Sequence, residues 1–195
     1  MSLAIGALIF DVDGTLAETE ELHRQAFNET FSALGLAGVW HDPALGWHWS
    51  VATYGRLLGT TGGKERIAAY LRHDLGVDPE PHRDRIAVIH GLKTQRFAEL
   101  MASQGIGLRA GIAELFALAR SRNLAVAVAT TTSAPNVDAV SRAAFGKPAS
   151  DLFDVVAAGY EIGAKKPSPY VYLLALQRLG MPAAACVAFE DSRNG

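Results

Sequence analysis

Two aspartates, Asp11 and Asp13, stand at the end of an apolar run and are followed by Gly14 and Thr15. In extended chain, residues two apart face the same way, so both carboxylates can address one point beyond the run's carboxyl end, and Gly14 permits a sharp exit. A solvated acidic turn has the same local pattern, and the other run ends separate the two readings. After a second run come Thr130, Thr131, Thr132 and Ser133. Such hydroxyls, with the amides of a helix N-terminus, suit a phosphate oxygen or simply cap the helix. Lys165 and Lys166 directly precede the Pro-Ser-Pro segment 167–169, and a last run ends in Glu190 and Asp191. Successive run ends therefore supply a carboxylate pair, a hydroxyl, a cation and a second carboxylate pair. Oxygen donors from Asp11 and Asp191, with few soft donors, suit a hard cation such as Mg2+ that also shares phosphate oxygens. The set is suited to phosphoryl transfer.

These residues need a common edge, and the apolar runs supply one. Ala4–Phe10, Leu124–Ala129, Val155–Ala158 and Cys186–Phe189 are continuous rather than alternating, as in strands of a parallel sheet covered on both faces. Helical spacing over Gly111–Arg122, Val137–Phe145 and Pro169–Leu179 alternates with the last three runs, which predicts a doubly wound parallel α/β sheet, Rossmann-like in plan. Roughly 95 residues separate the first run from the helix near Gly111, far beyond an ordinary crossover. That stretch reads as helices over Thr19–Leu34, Lys64–His73 and Asp84–Met101. The expected layout is a discontinuous α/β core, 1–16 with 105–195, interrupted by a helical cap at 17–104.

The chain has 195 residues, 49% of them hydrophobic and 19% charged, enough apolar material for a folded core and too much for disorder. A net charge of −2 gives no broad field for nucleic acid or an anionic membrane surface, so an anionic ligand must be held locally. The single cysteine, Cys186, is expected as buried filler in a reducing, cytoplasmic setting. Residues Leu3–Phe10 lack a basic flank and stop at Asp11, unlike a signal peptide or membrane span. No closing helix follows Glu190-Asp191, and the natural chain is expected to continue beyond Gly195.

Four segments, FDVDGT, VATTT, KKPSPYVY and FEDS, occur in the order that marks the haloacid dehalogenase-like phosphohydrolases, which the sequence strongly resembles. The helical insertion resembles the cap of their β-phosphoglucomutase-like and CbbY-like branch. The resemblance implies Asp11 as a nucleophile forming an aspartyl-phosphate, with Asp13 donating a proton to the leaving oxygen and then activating water. It implies that Thr130 and Lys166 hold phosphoryl oxygens. Mg2+ is implied on Asp11, the Asp13 carbonyl and Asp191, with Glu190 assisting directly or through water.

In the cap, Gly59-Thr60-Thr61-Gly62-Gly63-Lys64-Glu65-Arg66 is too short in spacing for a P-loop, but glycines leading into a helix with Lys64 and Arg66 can form an anion nest. A flexible loop before a basic helix face is the plainer alternative. The TTGGKER run is similar to the CbbY-type xylulose-1,5-bisphosphate phosphatases, and a bisphosphate needs a second anion site. Thr61, Gly62, Gly63, Lys64 and Arg66, with Thr131 and Thr132 in the core, are the expected substrate contacts, and Glu18 and His23 would meet sugar hydroxyls. Trp40, Trp47 and Trp49 are expected to pack the cap, with a metal site on His41 and His48 the weaker reading. The expected partner is a small sugar phosphate, with neither nucleic acid nor membrane, and the expected state is a monomer. A sugar-phosphate mutase and a noncatalytic receiver-like binding domain stay open, although Thr15 follows the phosphatase pattern where mutases commonly carry an apolar residue.

Overall fold

The computed structural model describes residues 4–35, 47–159, 161, 163–193 and 195. Trp40 and His41 lie outside the described residues. The chain divides into two compact units, one built from the segment up to Thr19 with the segment from Gln104 onward, the other Glu20–Ser103.

In the first unit, strands β1 (Ala7–Phe10), β2 (Ala125–Ala129), β3 (Val155–Ala157) and β4 (Cys186–Phe189) form one sheet in the order β3-β2-β1-β4. Every pairing is parallel, with Phe10 level with Val128 on one side and Phe189 on the other. Side chains alternate along β1, so Ile9 and Phe10 serve opposite faces. Ile9 joins Ala127, Ala129, Ala157, Val171 and Ala175, where the alanines of β2 let helix α8 (Tyr170–Leu179) lie close to the sheet. On the other face, Phe10 meets Phe116 of α5 (Ile112–Ser121), which also packs against Phe145 and Phe153. Helices on both faces make the sheet doubly wound, as the continuous apolar runs predict.

Two expectations need correction. Strand β4 is not covered throughout: it is the edge strand of the described sheet and Ala188 is exposed, so a short apolar run there reports its central neighbour rather than burial on both faces. Cys186 begins that edge and is only half-buried, not core filler. Between these elements lie α6 (Ala134–Phe145) and α7 (Ala149–Leu152), the former capped by Ser133, whose hydroxyl accepts from Asn136 N–H at 3.3 Å.

The second unit holds α1 (Glu20–Ala33), α2 (Val51–Leu57), α3 (Gly63–Asp74) and α4 (Arg83–Gln104), whose last residue falls in the first unit. Its core is aromatic: Phe27, Phe31, Trp47, Trp49, Tyr54 and Tyr70 pack with Ile67, Leu71, Ile86 and Ile89. Trp49 sits 4.5 Å from the Phe27 ring centroid and 5.0 Å from that of Phe31. Trp47 and Trp49 thus pack the unit's core, while His48 between them is exposed. Helix α2 escapes the helical periodicity because VATYGRL is short and carries β-branched residues and a glycine; Ser50 starts it by accepting from Thr53 N–H, and Tyr54 and Leu57 bury it.

Candidate active site

The parallel register brings the chemistry to one edge. Because Phe10, Val128 and Phe189 are level, Asp11, Thr130 and Glu190 all emerge just beyond the carboxyl ends of adjacent strands, the usual ligand edge of an open α/β sheet. The Asp11 N–H still donates to Phe189 O at 3.1 Å, so the ladder holds this backbone rigidly. The chain then turns sharply: Leu16 N–H donates to Val12 O and Gly14 N–H to Ala17 O, both at 3.0 Å. Gly14 has φ +78°, and a Cβ there would overlap the Asp191 carboxylate. Glycine is required for the turn and for the approach of that carboxylate alike.

Lys166 is the hub. It is buried, and its ammonium donates to Asp11 Oδ1 at 2.9 Å and to Glu190 Oε1. Tyr172, in the first turn of α8, donates its phenol hydroxyl to the same Glu190 oxygen, and its ring lies 5.2 Å from the Lys166 ammonium. One oxygen from each of Asp11, Glu190 and Asp191 lies within 4.8 Å of the others. Burial drives the Asp11 carboxyl up to about 7, outweighing the neighbouring Lys166 charge, and Glu190 and Asp13 push it further in the same direction. Burial also raises the Tyr172 phenol far above its ordinary range, with the Glu190 carboxylate adding to the effect.

Asp13 takes a different partner: its Oδ1 accepts from the Thr19 hydroxyl at 2.7 Å. Thr130 is fully buried and its backbone N–H donates to Ala157 O at 3.1 Å. Its hydroxyl oxygen accepts from Thr132 N–H at 3.3 Å, which leaves the O–H hydrogen to donate elsewhere. Thr132 is held from both ends, accepting from Asn136 Nδ2 at 3.1 Å and, through its carbonyl, from Gly159 N–H at 3.0 Å. Thr131 is half-buried beside them, and its carbonyl oxygen would overlap a Cβ at Gly159.

The structure thus gathers Asp11, Lys166, Glu190 and Asp191, with Asp13 and Thr130–Thr132 on the adjoining turns. Glu18 stands apart, exposed and ion-paired with Arg109 at 2.8 Å. Apart from Thr131 and Thr132, the other expected substrate contacts belong to the helical unit. His23 is buried there, its Nδ1 2.6 Å from Lys93 Nζ and its ring stacked on Phe97. Lys64 is exposed at the start of α3, while Thr61, Gly62 and Gly63 are half-buried. Arg66 donates to the Tyr54 hydroxyl at 2.8 Å and to Leu57 O at 3.2 Å. Sequence reasoning gave no role to Tyr172 or Thr19. A tyrosine three residues past the Lys166-Pro-Ser-Pro segment, in the opening turn of a helix leaving the same sheet edge, was the available signal for the former.

Comparison with known proteins agrees with this geometry. A family model described as haloacid dehalogenase-like hydrolase matches residues 5–195. Protein CbbY of Rhodobacter capsulatus is 55% identical over 193 residues, covering 99% of this chain and 80% of that protein. Protein CbbY of Cereibacter sphaeroides is 56% identical over 191 residues, 98% of this chain and 78% of the relative. Among solved structures, CbbY from Rhodobacter sphaeroides in complex with phosphate superposes with a TM-score of 0.84 at 55% identity, covering 97% of this chain and 79% of that one. A mutant of that CbbY in complex with xylulose-(1,5)bisphosphate gives the same TM-score at 54% identity, again over 97% of this chain and 79% of that one. With its motifs in order on a parallel sheet and relatives matched over nearly its whole length, the chain belongs to the haloacid dehalogenase-like hydrolases.

Proposed function

We propose that this hydrolase is a sugar-phosphate phosphatase that uses Asp11 as nucleophile and takes xylulose-1,5-bisphosphate as its substrate. The observation that carries the reading is the Lys166 ammonium shared between Asp11 and Glu190, beside Asp191, at the carboxyl edge of the sheet. The donor set fits a divalent cation: oxygen ligands from Asp11, Asp191 and Glu190 close together, with Gly14 leaving room for the Asp191 carboxylate. Asp11, the Asp13 carbonyl and Asp191 would hold Mg2+, with Glu190 beside them. When bound, Mg2+ supplies charge neutralisation between a carboxylate nucleophile and a phosphate dianion.

The protein's own groups account for the rest. Lys166 holds Asp11 Oδ1, which leaves Oδ2 to attack phosphorus as the ester P–O bond breaks. The leaving sugar oxygen takes a proton from Asp13, whose carboxyl is aimed by Thr19. Asp13 then accepts a proton from water, whose oxygen attacks the aspartyl-phosphate; phosphate leaves and Asp11 is regenerated. Thr130 donates to a phosphoryl oxygen, with Thr131 and Thr132 beside it. In the helical unit, the second phosphate of the substrate falls to Thr61–Lys64 and Arg66 and a hydroxyl to His23, while Glu18, in the sheet unit, serves another hydroxyl. Helix α3 begins at Gly63 without a side-chain cap, so its first amides can serve an anion.

Phosphate release from a panel of sugar mono- and bisphosphates tests the reading. The expected result is Mg2+-dependent release of one phosphate per xylulose-1,5-bisphosphate, faster than from monophosphates. Isomerised sugar phosphate without net release would instead identify a mutase, and no turnover across the panel with Mg2+ present would overturn the enzymatic reading.

A further inference from the structure

We infer that Tyr172 is a positioning residue for Glu190, its phenol hydroxyl and the Lys166 ammonium converging on one carboxylate oxygen so that Glu190 is held in a single orientation beside Asp11 and Asp191. The inference rests on the reading that those carboxylates hold the divalent cation. Two donors meet on Glu190 Oε1, but they are not equivalent. The lysine is a point charge with freely rotating donors, and it is shared with Asp11 Oδ1 at 2.9 Å, so it fixes distance more than direction. The phenol has a rigid ring, half-buried in the cluster that seats α8 on the sheet, and it aims one O–H. Orientation of the carboxylate therefore comes from Tyr172. Partners that orient metal-binding carboxylates usually change metal affinity by 10- to 100-fold when removed.

If Tyr172 served only as packing, Phe would replace it without consequence for the metal. Mn2+ binding to the full chain, read without substrate from the electron paramagnetic resonance of the free ion, separates these cases. Tyr172→Phe keeps the ring and should retain the parent's circular dichroism while binding Mn2+ about tenfold more weakly. In a Glu190→Gln background the same substitution should cause no further loss. Unchanged Mn2+ affinity in Tyr172→Phe, whatever its melting temperature, or a full additional loss in the Glu190→Gln background, overturns the inference. Asp191→Asn is the control on the reading beneath it. If Asp191→Asn binds as tightly as the parent, the metal site itself is wrong and the role of Tyr172 falls with it; if it loses binding while Tyr172→Phe keeps it, only the role of Tyr172 is overturned.

Discussion

Asp11 is pulled in two directions, and burial wins: its carboxyl titrates near 7 in the folded chain against an ordinary value of 3.8. Between those pH values the folded state holds a proton that the unfolded state has already lost. Metal-free stability therefore falls as pH rises through that window, and this group contributes no slope outside it. A divalent cation favours the charged form and should restore stability most at the upper end. Asp11→Asn removes the titration. Urea midpoints measured in a chelator at pH 5 and pH 8 should drop more for the parent than for Asp11→Asn, and equal drops would remove burial of the Asp11 charge as the cause. The same substitution should leave the fold and lower phosphate release at least about 1000-fold, since it deletes the proposed nucleophile rather than a helper. Asp11 was legible in the sequence as a candidate, standing two residues before a second carboxylate at the end of an apolar run, while its role came from the resemblance carried by the four ordered segments. Tyr172 was legible only as a position in the opening turn of a helix leaving that edge; its contact with Glu190 spans 18 residues and is made by the packing of α8 on the sheet.

At the scale of elements, the four strands were legible because parallel strands between helices carry short continuous apolar runs, and AVAVA and CVAF have few other uses. Their ends pointed to the candidate site, since a parallel sheet aligns all carboxyl ends at one edge. Helix α7 and helix α2 were not legible, being too short for periodicity to speak. Nor was the close approach of the turn after β3 to the turn after β2. There, Gly159 N–H donates to Thr132 O, and the Gly159 Cα faces the Thr131 carbonyl so closely that any side chain would overlap backbone. Backbone cannot swing aside as a flexible side chain can, so Gly159→Ala must separate the two turns. It should cost about 1–3 kcal/mol in urea unfolding, and because Thr130–Thr132 move with it, KM for the phosphate ester should rise. A variant of parental stability and KM would show that these turns are not braced against each other.

Among the described residues, the two units carry cores of different character. The sheet unit is packed with alanine, valine and a few phenylalanines, and the helical unit with an aromatic cluster. All three tryptophans of the sequence fall between positions 40 and 49, within the segment assigned to the helical unit, and Trp47 and Trp49 are buried in its core. Tryptophan emission is therefore a reporter on that unit, whereas the phosphoryl chemistry proposed above is assigned to residues of the other. Phe27 is the sharpest place to exploit this. It is fully buried, its ring contacts Trp49, Phe31 and Tyr54, and Lys93 lies 4.9 Å from its centroid. Phe27→Ala removes a large buried side chain from a packed cluster, which typically costs 3–5 kcal/mol and leaves a cavity beside the indole. The urea midpoint read by tryptophan emission should fall accordingly, and the native emission maximum should move to longer wavelength as the indole environment loosens. Asp11→Asn and Tyr172→Phe, which alter the sheet unit alone, should leave that native maximum where it is. If Phe27→Ala leaves midpoint and maximum unchanged, the aromatic cluster is not what holds the helical unit together.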